Sequence, residues 1–185
     1  MVKTDFRVGF VGVGRMGANM ARRLHDHGYK LTAVFDRSQS TTTSLAQELG
    51  CKAATTPADV AKGSNTVITV VSDDQSMREI YQADAPDSLL AHAKNCLFIN
   101  CATITPSVHS EIETLVEAHG GLSLESAMAS SITQAREGTL YLMCGGKTAA
   151  FERAKPRLQS LSIALHHIGK SGEAAKVKSP VNMVM

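Results

Sequence analysis

The chain has 185 residues, 43% of them hydrophobic and 19% charged, with a formal charge of +2, which suits one well-buried globular domain. Its basic residues are dispersed, so no nucleic-acid or anionic-membrane partner is expected, and no apolar run is long enough to span a bilayer. Cys51, Cys96, Cys101 and Cys144 lie in or beside apolar stretches without zinc-like spacing, as reduced cytoplasmic thiols would.

In chain order, short β-rich runs alternate with helical patterns. Met1–Phe6 meets a strand almost at once, leaving no room for a signal peptide. Arg7–Val13 is nearly all apolar, as a central parallel strand should be. Met16, Met20 and Leu24 then recur every four residues and predict a helix closing at Gly28. Lys30–Phe35 is the next strand, and 38–49 a helix ended by Gly50. A weak strand at 51–54 precedes a short helix opened by Thr56-Pro57. Strand 66–71 is followed by helical pieces at 76–81 and 86–94, then by strand Leu97–Asn100. Thr105-Pro106 pairs an N-cap threonine with a first-turn proline, and the helix it opens stops at Gly120. Strands are expected at 122–125, 140–144 and 163–168, with helix Thr148–Leu161 between the last two and Pro156 kinking or breaking it. His166 and His167 are neighbours on a strand and point to opposite faces, so they should not share a metal. From Glu173 a last helix begins, and its apolar stub (Val181, Met183, Val184, Met185) reads as the start of a truncated element. The alternation predicts an α/β fold with a doubly wound, mostly parallel sheet and helices on both faces.

The first strand and helix flank Gly12-Val-Gly14-Arg15-Met16-Gly17. Gly12 permits the tight turn, Gly14 lets a pyrophosphate approach the backbone, and Gly17 lets the helix pack close. The helix N-terminus supplies N–H groups for the phosphates. Asp36 follows Gly17 by nineteen residues, at the end of the second strand, where an acid can take the ribose hydroxyls. The cofactor is therefore NAD or NADP. Asp36 favours NAD by repelling a 2′-phosphate, whereas Arg37 and Ser38 are placed to hold one.

The segment Gly12-Val-Gly-Arg-Met-Gly-Ala-Asn-Met-Ala-Arg-Arg-Leu24 resembles the β-hydroxyacid dehydrogenase family. That family includes 3-hydroxyisobutyrate dehydrogenase and the relatives of 6-phosphogluconate dehydrogenase. Further segments continue the resemblance. Asn100-Cys-Ala-Thr-Ile-Thr-Pro106 is similar to the family's D-x-S-T-x-x-P and implies that Thr103 lies near the nicotinamide. Val70-Val71-Ser72 falls where the family's M-L-P turn touches the cofactor. Glu137-Gly-Thr-Leu140 and Met143-Cys-Gly-Gly146 match segments beyond the substrate loop. That loop departs from the family: D-A-P-V-S-G-G falls on Glu125-Ser-Ala-Met-Ala129-Ser130-Ser131, so the carboxylate-holding serine is Ala129 and two glycines are serines.

The family's proton-transfer lysine, with asparagine four residues on, matches Lys178 and Asn182, with Gly169 and Gly172 in glycine positions and Ala174 replacing a third. Lys176 is the reserve candidate. Pro180 between the pair implies a kinked helix or one beginning near Ser179. The resemblance implies a Rossmann domain over residues 1–172 and the start of an interdomain helix over 173–185, without the family's all-helical C-terminal domain. It also implies an NAD(P)-dependent oxidoreductase of small β-hydroxy acids or semialdehydes. The intact protein would be a homo-oligomer, and these residues alone would bind cofactor but turn over poorly. The alternative is a dinucleotide-sensing or scaffold domain, which Ala129 favours. A different Rossmann enzyme, such as an imine or short-chain reductase, is a further alternative, of which the short-chain option is disfavoured because Tyr29, Tyr81 and Tyr141 have no lysine four residues on.

Overall fold

The computed structural model describes residues 5–184, with side chains through Lys178. In order, the elements are β1 (Arg7–Val11), α1 (Arg15–Asp26), β2 (Lys30–Phe35), α2 (Gln39–Leu49), β3 (Lys52–Ala53), α3 (Pro57–Gly63), β4 (Thr66–Thr69) and α4 (Asp74–Ile80). A 3₁₀ turn (Leu89–His92) leads to β5 (Leu97–Asn100), α5 (Pro106–Ala118), β6 (Leu122–Met128), α6 (Ile132–Glu137), β7 (Leu140–Gly145), α7 (Thr148–Leu161), β8 (Ser162–Gly169) and α8 (Glu173–Val184).

Among the described residues the strands form one eight-stranded sheet in the order β3-β2-β1-β4-β5-β6-β7-β8. All neighbours pair in parallel except β6 with β7. The first six strands have the order of a doubly wound dinucleotide-binding sheet, whose chain direction switches between β1 and β4 and opens a crevice at the strand ends.

Helices cover both faces, as the alternating pattern predicts. On one, Met20 and Leu24 of α1 and Leu158 of α7 are wholly buried beside Val8 and Phe10. Each such side chain contributes about 2 kcal/mol of apolar burial. On the other, Val60, Met77 and Val108 from α3, α4 and α5 pack on Val67 and Phe98. A small third cluster, Ala127, Met143 and Ala174, seats α8 on β6 and β7. No helix of the described residues is long and apolar enough to cross a membrane.

Several local expectations need correction. Helix α6 falls in a stretch to which the sequence pattern assigns no element. Ser131 caps it through a reciprocal box with Gln134, and Gly138 ends it in the left-handed region at φ 73°. The helix expected over 86–94 is only the 3₁₀ turn, capped by Ser88. Strand β6 runs on to Met128 because the antiparallel β7 pairs with its last residues. Helix α7 passes through Pro156 without a break. Thr105 stands at the N-cap of α5, but its side chain does not cap the helix. Helix α8 begins at Glu173, so Pro180 lies within it rather than in its first turn. His166 and His167 do face opposite ways, His166 against Tyr141 and His167 stacked on Phe151 at 4.6 Å.

Candidate active site at the strand ends

Two clefts meet at Ser72. The first, about 420 Å³, lies at the ends of β1, β2 and β4, between Gly12, Gly14, Asp36, Arg37 and Val71. The second, about 1060 Å³, continues past β4 and β5 to α8 and is lined by Asp74, Thr103, Ala127 and Lys178.

The glycine loop builds the first cleft. Gly12 has φ +84°, where a side chain is strained, and a Cβ there would overlap the Val70 carbonyl. Gly17 presses α1 against the loop, since a Cβ there would overlap the Gly12 carbonyl. Gly14 is different. A Cβ at this position would meet no protein atom within 4 Å, so nothing in the chain's own packing requires glycine there. Gly14 is also the N-cap of α1, with no side-chain cap and no acid in the first turn. Its N–H groups and helix dipole are thus left for an anion. Arg15 is exposed and Met16 half-buried at the start of that helix. These residues fit a dinucleotide.

Asp36 follows β2, and its carboxylate is tied to both loops: Oδ2 accepts the Val13 N–H at 2.9 Å and Oδ1 the Ser38 N–H at 3.0 Å. Arg37 donates to Ser76 Oγ across the cleft at 2.5 Å. Ser38 is committed to capping α2. Val71 is half-buried and Ser72 exposed, with Ser72 Oγ donating to Asp73 at 2.8 Å.

In the second cleft, Lys178 Nζ donates to Thr103 Oγ1 at 2.7 Å. Burial holds the Lys178 pKa below the usual lysine value. Lys176 also lines this cleft and is exposed, whereas Lys170 does not line it. Asn182 lies outside the described side chains. Below Thr103, Asn100 sits where the resembled family has aspartate. Its Oδ1 accepts from Thr69 and Tyr81, each at 2.8 Å, and its Nδ2 donates to Ser123 at 3.0 Å. An amide satisfies all three hydroxyls without burying a charge.

The segment Ala129–Ser131 is half-buried to exposed, and both of its serine hydroxyls are already hydrogen-bonded. Ser130 Oγ donates to the Ala129 carbonyl at 2.5 Å and accepts the Tyr141 N–H at 2.8 Å. The Ser131 N–H donates to Gln134 Oε1 at 2.8 Å.

Sequence reading missed Asp74, which ties α4 to α5 by accepting from Thr105 N at 2.8 Å and Thr105 Oγ1 at 2.5 Å. Both bonds hold the Asp74 carboxyl below its ordinary pKa. An acid at a helix start was visible in the sequence, but its cross-helix partner was not. Glu125 was also missed as a structural centre: it is buried under α8 and accepts the Gly172 N–H at 2.7 Å and the Ala175 N–H at 2.6 Å.

Residues 7–169 match the family described as the NAD binding domain of 6-phosphogluconate dehydrogenase. The NAD-dependent L-serine dehydrogenase of Pseudomonas aeruginosa is 34% identical over 174 residues, covering 92% of this chain and 57% of that protein. The mitochondrial 3-hydroxyisobutyrate dehydrogenase of Rattus norvegicus is 32% identical over 178 residues, covering 96% of this chain and 52% of that protein. Among solved structures, the Mycobacterium tuberculosis 3-hydroxyisobutyrate dehydrogenase with L-serine superposes with a TM-score of 0.86 at 29% identity, covering 97% of this chain and 60% of that one. The chain spans about half the length of the curated relatives it matches.

Proposed function

The chain belongs to the family of the NAD-binding domain of 6-phosphogluconate dehydrogenase, and on that premise we propose that it is the cofactor-holding part of an oxidoreductase of small β-hydroxy acids or their semialdehydes. The observation that carries the reading is the Lys178–Thr103 contact, in a cleft that joins the glycine-loop cleft at Ser72.

In this reading Gly12, Gly14, Arg15, Met16 and Gly17 hold the pyrophosphate and Asp36 the adenosine ribose. Arg37, Ser38, Val71, Ser72 and Thr103 complete the cofactor wall. NAD is favoured, because the Asp36 carboxylate lies where a 2′-phosphate would be repelled and Ser38 is occupied as a helix cap. When bound, the nicotinamide supplies the hydride acceptor or donor. Lys178 takes the proton that the substrate hydroxyl releases as its carbinol carbon loses a hydride, and returns it in the reverse reaction. Partial burial lowers the Lys178 pKa and so favours the neutral amine that can accept this proton. Asn182 orients the substrate from the next turn of α8.

Ala129, Ser130 and Ser131 form the substrate wall, with a grip unlike the resembled segment because position 129 has no hydroxyl and the Ser130 and Ser131 groups bond to Ala129, Tyr141 and Gln134. Domain division falls at 172/173. Residues 1–185 alone bind dinucleotide and turn over slowly, since half-exposed Lys178 shares its cleft with water. The intact protein is a homo-oligomer acting without nucleic acid or membrane. The four free thiols suit a reducing compartment such as the cytoplasm.

A panel of β-hydroxy acids and semialdehydes, each tested with NAD and NADP on the intact protein, tests the reading. Reduction of cofactor by one class, lost in Lys178→Ala while dinucleotide binding survives, is expected. Ala129, which lacks the hydroxyl of the resembled segment, favours a second reading, a dinucleotide-sensing or scaffold domain. Tight cofactor binding with no turnover across the panel would establish that one instead.

A further inference from the structure

Glu125 stands in the middle of β6 with 1% of its surface exposed. Both its oxygens serve one helix end. Oε2 accepts the Gly172 N–H at 2.7 Å, just before α8, and Oε1 accepts the Ala175 N–H at 2.6 Å, in its first turn. Those groups form the positive end of the helix, and a carboxylate there is held by both charge and hydrogen bonds.

The surroundings are shaped for this contact. Gly145 pairs with Glu125 across the antiparallel ladder, and a Cβ on it would overlap Glu125 Oε2. Gly172, at φ +88°, passes close to the Pro106 carbonyl, 2.6 Å from where a Cβ would stand. His109 of α5 brings Nε2 to 3.5 Å from Glu125 Oε1. Ala174, wholly buried between the two capped residues, supplies the apolar half of the seat against Ala127 and Met143.

Lys178 is three residues beyond Ala175, about one helical turn. The bonds that hold the first turn therefore also set where the amine stands. We propose that Glu125 is a positioning residue for Lys178: by binding the Gly172 and Ala175 N–H groups it fixes the height and rotation of α8 on β6, and so places the amine at Thr103. The proposal rests on the reading of Lys178 as the proton-transfer residue.

The test compares wild type with Glu125→Gln, which keeps the side-chain volume and one acceptor, and Glu125→Ala, which removes both. The first readout is the pH dependence of Lys178 modification by trinitrobenzenesulfonate, followed by mass spectrometry on the 185-residue chain, with exposed Lys170 as internal control. The second is kcat and KM of the intact protein on the substrate found by the panel. Thermal unfolding identifies folded variants, and the milder Glu125→Gln decides if Glu125→Ala does not fold.

In wild type, Lys178 should titrate below the usual lysine value. In the variants its midpoint should move up toward the usual lysine value, and its labelling rate at neutral pH, normalised to that of Lys170, should change several-fold as the amine swings into water. kcat should fall about tenfold or more with KM changed less than threefold. Folded variants with unchanged Lys178 labelling and unchanged kcat would overturn the proposal. If Lys178→Ala retains turnover, the Lys178 reading fails, and the labelling profile still decides whether Glu125 places the amine.

Discussion

Lys178 and Thr103 are 75 residues apart in sequence, yet the lysine Nζ donates to the threonine Oγ1 at 2.7 Å. The contact joins α8 to the loop after β5 and puts a partly desolvated amine beside a hydroxyl at the cleft floor. A hydrogen bond donated by the ammonium favours its charged form, whereas burial disfavours it.

Lys178→Ala should lower turnover by about a hundredfold or more, the usual worth of a positioned acid–base group, with dinucleotide affinity unchanged. Thr103→Val removes the acceptor but leaves the burial, so the Lys178 pKa should fall further. In the proposed reaction oxidation needs the neutral amine, so its rate should rise with pH through that pKa. The acid limb of the kcat profile should therefore move to lower pH in Thr103→Val and vanish in Lys178→Ala. Initial rates across a pH series check this.

Gly12→Ala and Gly14→Ala should separate folding from binding. At Gly12 the positive φ and the Val70 carbonyl both oppose a side chain, and the substitution should cost about 1–3 kcal/mol of stability. At Gly14 no protein atom is near, so the melting temperature should hold while dinucleotide affinity drops about tenfold or more. Thermal unfolding and NADH fluorescence titration provide the two readouts.

Asp36→Ala should weaken NADH binding by about tenfold while NADPH binding falls less or improves, because the repelling carboxylate is gone and Arg37 remains. Adding Arg37→Ala should cancel the gain for NADPH. The ratio of the two dissociation constants, measured by titration, is the test.

His109 should make the fold acid-sensitive. Burial holds its pKa down to about 4 from 6.5, so between these values the unfolded chain binds a proton that the native state refuses. Stability then falls with decreasing pH at about 1.4 kcal/mol per unit and levels off below about 4. Glu125 acts in the opposite sense, because burial raises its pKa and lets the native state take a proton first. His109→Gln keeps Glu125 and removes the imidazole. The stability of wild type minus that of His109→Gln, from denaturant melts, should fall between pH 6.5 and 4 and stay level above 6.5. A flat difference would contradict this account.

The sequence by itself determined the order and type of most elements. The apolar runs at β1, β4 and β5 can only be buried strands, and the four-residue spacing of Met16, Met20 and Leu24 can only face a core as a helix. It also determined the glycine-loop geometry and the placing of Asp36, because positive φ, close packing and strand ends are local properties of chain and spacing. Helix α6 was legible too, since Ser131 and Gln134 form a capping box, but the sequence pattern assigns no element to its residues beside the resembled segment.

Only the tertiary structure decided which distant groups meet. Local pattern carries no information on whether Lys178 or Lys176 reaches Thr103, on Asp74 tying α4 to α5, or on Glu125 capping α8 across 47 residues. Those contacts depend on sheet order and on the antiparallel β6–β7 pairing, which turns the chain back and sets α8 over the strand ends. The glycine loop was written in neighbouring residues, and the lysine's place was decided by packing among elements far apart in the chain.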